Sequence, residues 1–516
     1  MPGPKSRVPA NGNARDRKYF QLWRRFYEPL VILKILGTTR GEHSLPLSQS
    51  PVHRFLDNLA YLCDHDKGGS TTSAVGLENA PEQFNLWIAS NDPKQSAKSA
   101  LFLTFILQDV RKIADAPDAD KESLQGKLIR RCIEFAKQRV KKEAKLLTRE
   151  AARCMRFFTS SKDTELYKWL GRFLEKEPEE LCHLAYRERD TLMMKQLSSR
   201  QRANRDLSVT DGQSVAIKDV LHRLGRLSHH IRAPKQIVED VSNHSGLRNV
   251  LDEFKVGSIR PQPTIDRPQA EPDIHIYSIM NRMLSSGLNE RYKAAADVMN
   301  QRYDIVSRFK QEYDSKTFKP LMHAEIQVLE HFWAKRQFFD DDRYIGCSKP
   351  SCYCCHLYMQ HHPARCVVPQ TSRNVYVNWG LEALPQGTRD ADYKHQRDLL
   401  NEMTKSIRND ALDQILRKTS AAPWHPDSQT GFTLRVPSRL NEAASSRMVD
   451  LDMTTDTDDS QSAGVDCSPR SSARGSRHSS WASISDASTR GLRDHAWIDD
   501  GDSDSDSDSS SGGAKL

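Results

Sequence analysis

The sequence has no apolar run long enough to cross a membrane. The longest such run, ALFLTFIL at residues 100–107, is far shorter than the roughly 20 residues that a spanning helix needs. The polar N-terminus, MPGPKSRVPANGNARDRK, has no apolar segment and therefore does not look like a secretory signal. Internal repeats are also absent. We expect a soluble intracellular protein, cytoplasmic or nuclear, with no membrane partner.

The cysteines do not have the distribution of a secreted disulfide framework. Five of the ten lie between Cys347 and Cys366, and the others are scattered along the chain. A secreted framework would spread its cysteines through a small domain. Clustering in an intracellular chain instead favours a metal site or a catalytic site.

Charge is unevenly distributed. Residues 449–516 contain fourteen Asp, six Lys or Arg and no Glu, a net charge of −8. The rest of the chain has 70 Lys or Arg against 54 Asp or Glu, a net charge of +16. Such a basic body suits an anionic partner such as a nucleic acid or a nucleotide, and is also compatible with plain solubility. The acidic, serine-rich segment cannot bury enough apolar surface to offset chain entropy, so residues 448–516 are predicted to form a disordered tail that could bind protein partners.

Two helical patterns and one hairpin pattern organise the chain. TTSAVGLE and QFNLWIAS, separated by NAPE, predict two strands joined as a hairpin that ends at Asn91. The following residues are predicted to be helical to about Lys255. Between Lys121 and Arg156 this region has twelve Lys or Arg against four Glu, which indicates a nucleic-acid-binding helix or, more often, a solvated bundle face; interleaved aromatics for base stacking are lacking. A long amphipathic helix is predicted for residues 390–417.

The cysteine-rich part of the chain is predicted to alternate strands and a helix. RYIGCS predicts a short strand and CYCCHLYMQ the start of a helix, whereas RCVVP and NVYVNW predict two further strands.

Four residues form the main candidate site. His323 supplies an imidazole, and Cys352 and Cys355 supply two thiolates at a spacing that directs both into one site from the first turn of a helix. Three zinc ligands leave a fourth position for water. Glu325, two residues after His323, would lie near the ion without binding it and could carry protons between the water and a leaving group.

A closed structural zinc site is the alternative. Cys352 and Cys355 could combine with His361 or His362, which would give His323 and Glu325 no role. Cys347 and Cys354 could replace a ligand, although Cys354 does not share a helix face with Cys352 and Cys355. His356 is expected on the outer side of the helix.

The order of these residues is typical of zinc-dependent deaminases of nucleobases. In that pattern His-x-Glu precedes Pro-Cys-x-x-Cys, and the glutamate is an acid/base rather than a ligand. This chain departs from it at one position, because Pro350 stands two residues before Cys352 and Ser351 occupies the usual proline position.

The chain also resembles a known family. MHAEIQVLEHF, YIGCSKPSCYCCHLY and NVYVNW resemble the fungal branch of the bacterial-toxin-like deaminases, in the cytidine-deaminase-like superfamily. FLDNLAYLCDHDKGGSTTSAVGLE, FNLWIASND and LGRLSHHIRAPKQIVEDV resemble the same branch, so the resemblance extends from Phe55 to about Ser438. It implies an α/β fold in which a mixed sheet is flanked by helices and a hairpin precedes the His-Glu helix. It also implies that Asn91, at the end of the second strand, contacts the substrate, although a turn-forming Asn before Asp-Pro explains that residue equally well.

The resemblance implies a domain organisation and a reaction. The expected segments are a disordered basic N-terminal tail (1–18), helices with the first hairpin (19–93), an all-helical insertion (94–255), a proline-rich linker (256–275), a zinc-binding deaminase core (276–440) and the disordered tail (448–516). The expected reaction is zinc-dependent hydrolytic removal of the exocyclic amine of cytosine or adenine, in a nucleoside, a nucleotide or a nucleic acid.

Two other hypotheses remain at this point. One is a catalytically silent, zinc-stabilised scaffold that binds partners through the helical insertion and the acidic tail. The other is a helical nucleic-acid-binding protein with a zinc finger. Glu325 favours the enzyme, because a structural zinc site needs no carboxylate beside its ligand.

Overall fold

The computed structural model describes residues 14–37, 50–159, 163–203, 212–260, 262–268, 275–284, 287–316, 318–334 and 336–418, all within one unit of the chain. The predicted acidic tail lies outside these residues, whereas the first helix already begins at Ala14, inside the segment predicted to be the N-terminal tail. No described helix combines the length and the apolar character that a membrane span requires.

Helices dominate the described residues, with a small sheet among them. In chain order the elements are α1 (Ala14–Ile35), α2 (Pro51–Cys63), β1 (Ser73–Asn79), β2 (Phe84–Ser90), α3 (Pro93–Asp115), α4 (Asp118–Phe135), α5 (Lys137–Met155), α6 (Thr164–Gly171), α7 (Pro178–Glu188), α8 (Leu192–Ala203), α9 (Gly212–Asn243), α10 (Ser245–Asp252), β3 (Phe254–Ser258), α11 (Ile276–Met283), α12 (Glu290–Tyr303), α13 (Ile305–Asp314), α14 (Ala324–Trp333), β4 (Gly346–Cys347), α15 (Tyr353–His361) and α16 (Tyr393–Arg417). Short 3-10 helices cover Phe339–Asp341 and Gly387–Arg389.

The four strands form one mixed sheet in the order β3-β2-β1-β4. β1 and β2 are the predicted hairpin, paired antiparallel from Ser73 opposite Ser90 to Asn79 opposite Phe84. β4 is antiparallel to β1, with Cys347 opposite Ala74, and β3 is parallel to β2. The α/β class predicted from the sequence is therefore confirmed for the described residues.

Alternation along β1 separates two cores. Val75 and Leu77 belong to the apolar cluster formed with α2, α3, α9 and α10, whereas Ala74 faces the cluster that includes α1 and α11 to α16. Gly76, on the same face as Ala74, leaves room for α14, since a Cβ there would stand 2.6 Å from the ring of Phe332. The sheet is thus covered on both faces, and α14 lies directly against one of them.

The helical region after β2 is interrupted at its end by a strand. The sequence predicted helix to about Lys255, but Phe254–Ser258 pairs with the free edge of β2. Gly257 makes this edge position accessible, because the ring of Trp87 occupies the space where a Cβ would lie, 2.4 Å away. This strand forms because it pairs with a distant part of the chain, and the local periodicity of the sequence gives no information about that pairing.

Two predicted strands, RCVVP and NVYVNW, are not strands of the sheet. This part of the chain makes isolated bridges instead, Leu321 with Trp379 at the end of NVYVNW and Ser351 with Thr371 between the two runs. Arg365 and Arg373 adopt a positive φ of 52°, which turns the chain out of the extended conformation before a ladder can form. The predicted strand RYIGCS is present but short, as β4.

Helices α5 to α9 pack into a third apolar cluster. The cluster encloses one fully buried carboxylate, Glu143, which accepts from Arg223 and Arg226 at 2.9 Å each. The predicted amphipathic helix is confirmed as α16. Its expected inner residues are all buried, and they are Leu399, Leu400, Met403, Ile407, Leu412 and Ile415.

Candidate metal and acid/base site

The start of α14 lies close in space to the end of β2. The first candidate ligand directly precedes this helix. His323 is its N-cap residue, with an extended backbone at φ −66° and ψ 152°. The approach to this helix is held by Leu321, whose N–H donates to the oxygen of Asn378 at 2.8 Å and whose own oxygen accepts from Gly380 at 2.9 Å. Glu325 follows in the first turn of α14, so the two side chains leave the backbone close together.

α15 begins with the two cysteines. Cys352 is the N-cap residue, and its Sγ accepts a hydrogen bond from the N–H of Cys355 at 3.4 Å. The unpaired N–H groups of a helix N-terminus stabilise negative charge, so this position favours thiolate. Cys355, three residues later, lies on the same helix face as predicted.

The three candidate ligands meet in a buried cluster. Nδ1 of His323 lies 3.5 Å from Sγ of Cys352 and 3.3 Å from Sγ of Cys355. A tetrahedral zinc ion with bonds of about 2.3 Å to sulfur and about 2.0 Å to nitrogen requires N···S separations of about 3.5 Å. The group could therefore hold a metal ion, and its thiolate and imidazole donors suit zinc.

Electrostatics in the cluster favour one thiolate. Burial alone would raise the pKa of Cys352, but the hydrogen bonds from Cys355 and the His323 ring lower it well below the usual value. Burial and the neighbouring Cys352 charge raise the pKa of Cys355. For His323, burial would lower the pKa, yet the Cys352 charge reverses the direction and raises it. Each of these two groups therefore favours the charged form of the other.

Glu325 is a buried carboxylate beside this cluster. It is 6% exposed, and its side chain reaches Cys355. Burial raises the pKa of Glu325, with His323 acting in the opposite direction. A carboxyl group with a raised pKa can both hold and release a proton nearer neutral pH than a solvated Glu can.

Trp379 completes the surroundings of the cluster. Its indole N–H donates to Sγ of Cys355 at 3.2 Å, and its carbonyl oxygen accepts from the hydroxyl of Tyr27 at 2.8 Å. Both rings are fully buried. NVYVNW has the pattern of a strand and resembles the deaminase branch, but no local pattern indicates which partner a buried indole such as that of Trp379 will reach.

The structure places Asn91 next to α14. Its Oδ1 accepts from the N–H of Ala324 at 2.9 Å, and its Nδ2 donates to the oxygen of Gly69 at 2.9 Å. The amide therefore satisfies one of the N-terminal N–H groups of the helix that carries Glu325. Contact with a substrate, which the resemblance implies, remains a prediction.

The other histidines and cysteines of this region point elsewhere. His362 lies 3.0 Å from Glu330, and His361 lies 3.5 Å from the hydroxyl of Ser406. Among the described residues it is His323, and neither of these two, that groups with Cys352 and Cys355. Two cysteines considered as replacement ligands, Cys347 and Cys354, are buried thiols whose pKa burial raises well above the usual value. His356 is half-buried, with its Nδ1 unpaired in the described structure.

One aromatic side chain is exposed at the edge of the site. Tyr376 is 40% exposed, and its ring centroid lies 6.2 Å from that of His323 at an interplanar angle of 64°. It belongs to NVYVNW, in the segment between α15 and α16. The sequence analysis did not single it out, since an isolated Tyr gives no signal of its own.

The basic helical face does not form an unbroken basic surface. Arg139 is buried and lies 3.3 Å from Asp64, and several of the other basic side chains pair with carboxylates. Those pairs include Lys121–Asp118, Arg131–Asp109, Lys137–Glu134, Lys142–Asp66 and Arg153–Asp219. Pairing with carboxylates lowers the positive charge that this face presents, and nucleic-acid binding by it remains a prediction.

A family model described as OTT_1508-like deaminase matches residues 322–383. This segment contains all four candidate residues on α14 and α15 together with Tyr376 and Trp379. Comparison with curated proteins and with solved structures gave no significant match. The match supports a deaminase family of the cytidine-deaminase-like type and hydrolytic deaminase chemistry for this part of the chain; it does not distinguish the fungal branch from others.

Proposed function

We propose that the chain is a zinc-dependent hydrolytic deaminase that acts on a cytosine-type or adenine-type base in a nucleoside, a nucleotide or a nucleic acid. One observation carries the proposal. A buried carboxylate, Glu325, stands beside a buried His/Cys/Cys group inside the segment that the deaminase family model matches. A purely structural zinc site has no use for such a carboxylate.

His323, Cys352 and Cys355 would hold the zinc ion. Bound zinc supplies a Lewis acid that makes water nucleophilic near neutral pH. The hydrogen bond from Trp379 to Cys355 would keep that sulfur oriented, as outer partners of metal ligands do.

Glu325 would carry the proton. Water adds to the carbon that bears the exocyclic amine, forming a C–O bond, and the C–N bond then breaks to release ammonia. Glu325 takes a proton from the attacking water and delivers it to the departing nitrogen, so the carboxylate ends the cycle as it began. Its buried position and raised pKa suit both transfers.

The finer fold assignment also belongs to this proposal. A cytidine-deaminase-like core would consist of β1, β2, β4, α14 and α15, with α3 to α10 inserted between the hairpin and α14. The hairpin before the His-Glu helix and the mixed sheet flanked by helices support it. Tyr376, exposed next to His323, would stack on the base.

The test is a substrate panel. Cytidine, adenosine, their nucleotides, and single-stranded DNA and RNA are incubated with the zinc-loaded full chain, and ammonia release and a one-dalton mass gain are measured. Glu325→Gln should retain zinc, because the side chain is not a ligand, and should lose a factor of about 10² to 10⁴ in turnover. Glu188→Gln, a buried Glu in α7, is the matched control.

Two results would refute the proposal. Loss of zinc in Glu325→Gln would make the carboxylate a ligand rather than a proton carrier. Absence of activity in the wild-type chain across the whole panel, with zinc bound, would favour the scaffold hypothesis.

A further inference from the structure

A second group of metal-binding side chains lies outside the site described above. Glu330 of α14, His362 directly after α15 and His395 of α16 bring one carboxylate and two imidazoles together, with ligand atoms all within 4.8 Å of one another. We propose that these three residues bind a first-row divalent transition metal ion, separate from the ion at His323, Cys352 and Cys355.

The distances are close to those of a two-histidine, one-carboxylate site. Nε2 of His362 lies 3.0 Å from Oε1 of Glu330, and Nε2 of His395 lies 3.8 Å from Oε2. Metal bonds of about 2.0–2.2 Å to nitrogen and oxygen place ligand atoms about 3.0–3.5 Å apart. His395 must move closer to Glu330 to reach this range. It has room to do so, because its side chain is 26% exposed, whereas His362 is 2% exposed.

The two imidazoles each have a ring nitrogen without a hydrogen-bond partner in the described structure, as expected if an ion binds between them. Within the described residues, Nε2 of His362 and Nε2 of His395 are both shielded from solvent, and neither makes a hydrogen bond of normal geometry. Each nitrogen is near Glu330 but off the line that an N–H···O bond prefers. An ion bound between these two nitrogens and the carboxylate would satisfy both of them.

The carboxylate is also oriented from behind. The hydroxyl of Tyr358 donates to Oε1 of Glu330 at 2.7 Å, as an outer partner of a metal-binding carboxylate would. The ring of Trp333 is parallel to that of His395 within 11°, at a centroid distance of 5.9 Å, and limits how that imidazole can turn.

One hydrogen bond of His362 opposes metal binding, because it must break when the ion binds. The N–H of Ala364 donates to Nδ1 of His362 at 3.1 Å, so Nδ1 is an acceptor in this contact and a ring proton is on Nε2. An ion on Nε2 requires the proton to move to Nδ1, and the Ala364 contact must then open. Binding therefore has to outweigh one backbone hydrogen bond.

The position of the group indicates a structural role. His361 and His395 line a cleft of about 510 Å³, so the group can be reached from solvent. An ion there would link α16 to α14 and α15, the two helices that carry the His323, Cys352 and Cys355 ligands. It would stabilise the relative positions of those helices without contacting the acid/base residue.

The experiment counts metal ions on the full chain. The protein is stripped with a chelator, reloaded with Zn²⁺, freed of unbound ion and analysed by mass spectrometry; a parallel sample is loaded with Co²⁺ and its near-ultraviolet absorption recorded. A thiolate-bound cobalt ion absorbs strongly there, whereas one bound by two imidazoles and a carboxylate does not. We expect about two zinc ions per chain in the wild type.

Variants identify which ion is lost. His395→Ala and the nearly isosteric Glu330→Gln should each retain one zinc and keep the thiolate–cobalt absorption. His323→Ala should retain one zinc and lose that absorption. Glu402→Gln, which lines the same cleft outside the group, should keep both ions.

A wild type with one zinc and a full thiolate–cobalt absorption would overturn this inference, and so would two zinc ions in both His395→Ala and Glu330→Gln. A wild type whose one ion lacks the thiolate absorption and is lost in Glu330→Gln would support it while refuting the zinc site of the proposed deaminase. Circular dichroism on each variant separates loss of an ion from loss of the fold.

Discussion

Replacing Asn91 tests whether this residue positions the site or contacts the substrate. Its side chain joins the end of β2 to the start of α14, accepting from the N–H of Ala324 and donating to the oxygen of Gly69. Ala324 is fully buried, and Asn91→Ala removes the acceptor of its N–H. The variant therefore leaves one helix N-terminal donor without a partner.

These contacts allow an estimate of how much stability Asn91→Ala loses. Removing a side chain that satisfies a helix N-terminal N–H costs about 0.5–2 kcal/mol, and leaving a buried donor unpaired costs about 1–3 kcal/mol. The bond to Gly69 is exposed and adds little. We expect Asn91→Ala to lower the free energy of unfolding by about 1–2 kcal/mol.

Urea unfolding followed by tryptophan fluorescence measures this loss as a lower midpoint at an unchanged slope. Asn243→Ala, an exposed Asn at the end of α9, is the matched control and should unfold like the wild type. If Asn91→Ala unfolds at the wild-type midpoint while its activity is reduced through KM alone, then the positioning argument is refuted and Asn91 is a substrate contact.

Three further predictions follow from single contacts. Trp379→Phe removes the hydrogen bond to the Cys355 sulfur and should weaken zinc affinity about 10- to 100-fold in a chelator competition, whereas Trp169→Phe, a buried Trp in α6, should not. Gly346→Ala should destabilise the chain by at least about 1–3 kcal/mol in urea, because the new Cβ would stand 2.4 Å from the backbone of α2; a wild-type midpoint would contradict this packing. Burial would raise the pKa of Glu143, but its arginine partners lower it well below the unfolded value, so its stabilising contribution is complete above about pH 4.3 and lost as the pH falls further; Glu143→Gln should be less stable at pH 7 and should show a shallower loss of stability between about pH 5 and 3.

The elements that could be predicted are those whose apolar pattern lies within one short segment of the chain. The hairpin of β1 and β2 has two short runs of strand-forming residues around NAPE, with Asn91-Asp92-Pro93 ending the second, and α16 has an apolar stripe at helical spacing. The approach of His323 to the two cysteines was also predictable, because Cys352 and Cys355 must share a helix face and the intervening residues allow a helix, a loop and a strand.

Elements that depend on distant partners were not predictable in this way. β3 forms because its backbone pairs with the edge of β2, whereas RCVVP is not a strand because Arg365 adopts a positive φ that turns the chain. The contacts of Trp379 and the grouping of Glu330 with His395 join residues from separate helices and loops. A pattern within ten or twenty residues has no access to such pairings.

The helical region that follows β2 is physically coupled to the loop that leads to the cysteines. Asp64, at the end of α2, is fully buried and lies 3.3 Å from Arg139 of α5 and 3.6 Å from Lys349, three residues before Cys352. Burial alone would raise the pKa of Asp64, but Lys349 and Arg139 lower it, so the carboxylate is held in its charged form by both sides. Removing α5 would take Arg139 away from this buried charge, and breaking a buried pair in this way costs far more than breaking an exposed one. Through Asp64, α5 therefore helps to hold the loop that leads to α15, and we expect its removal to disturb the position of that loop.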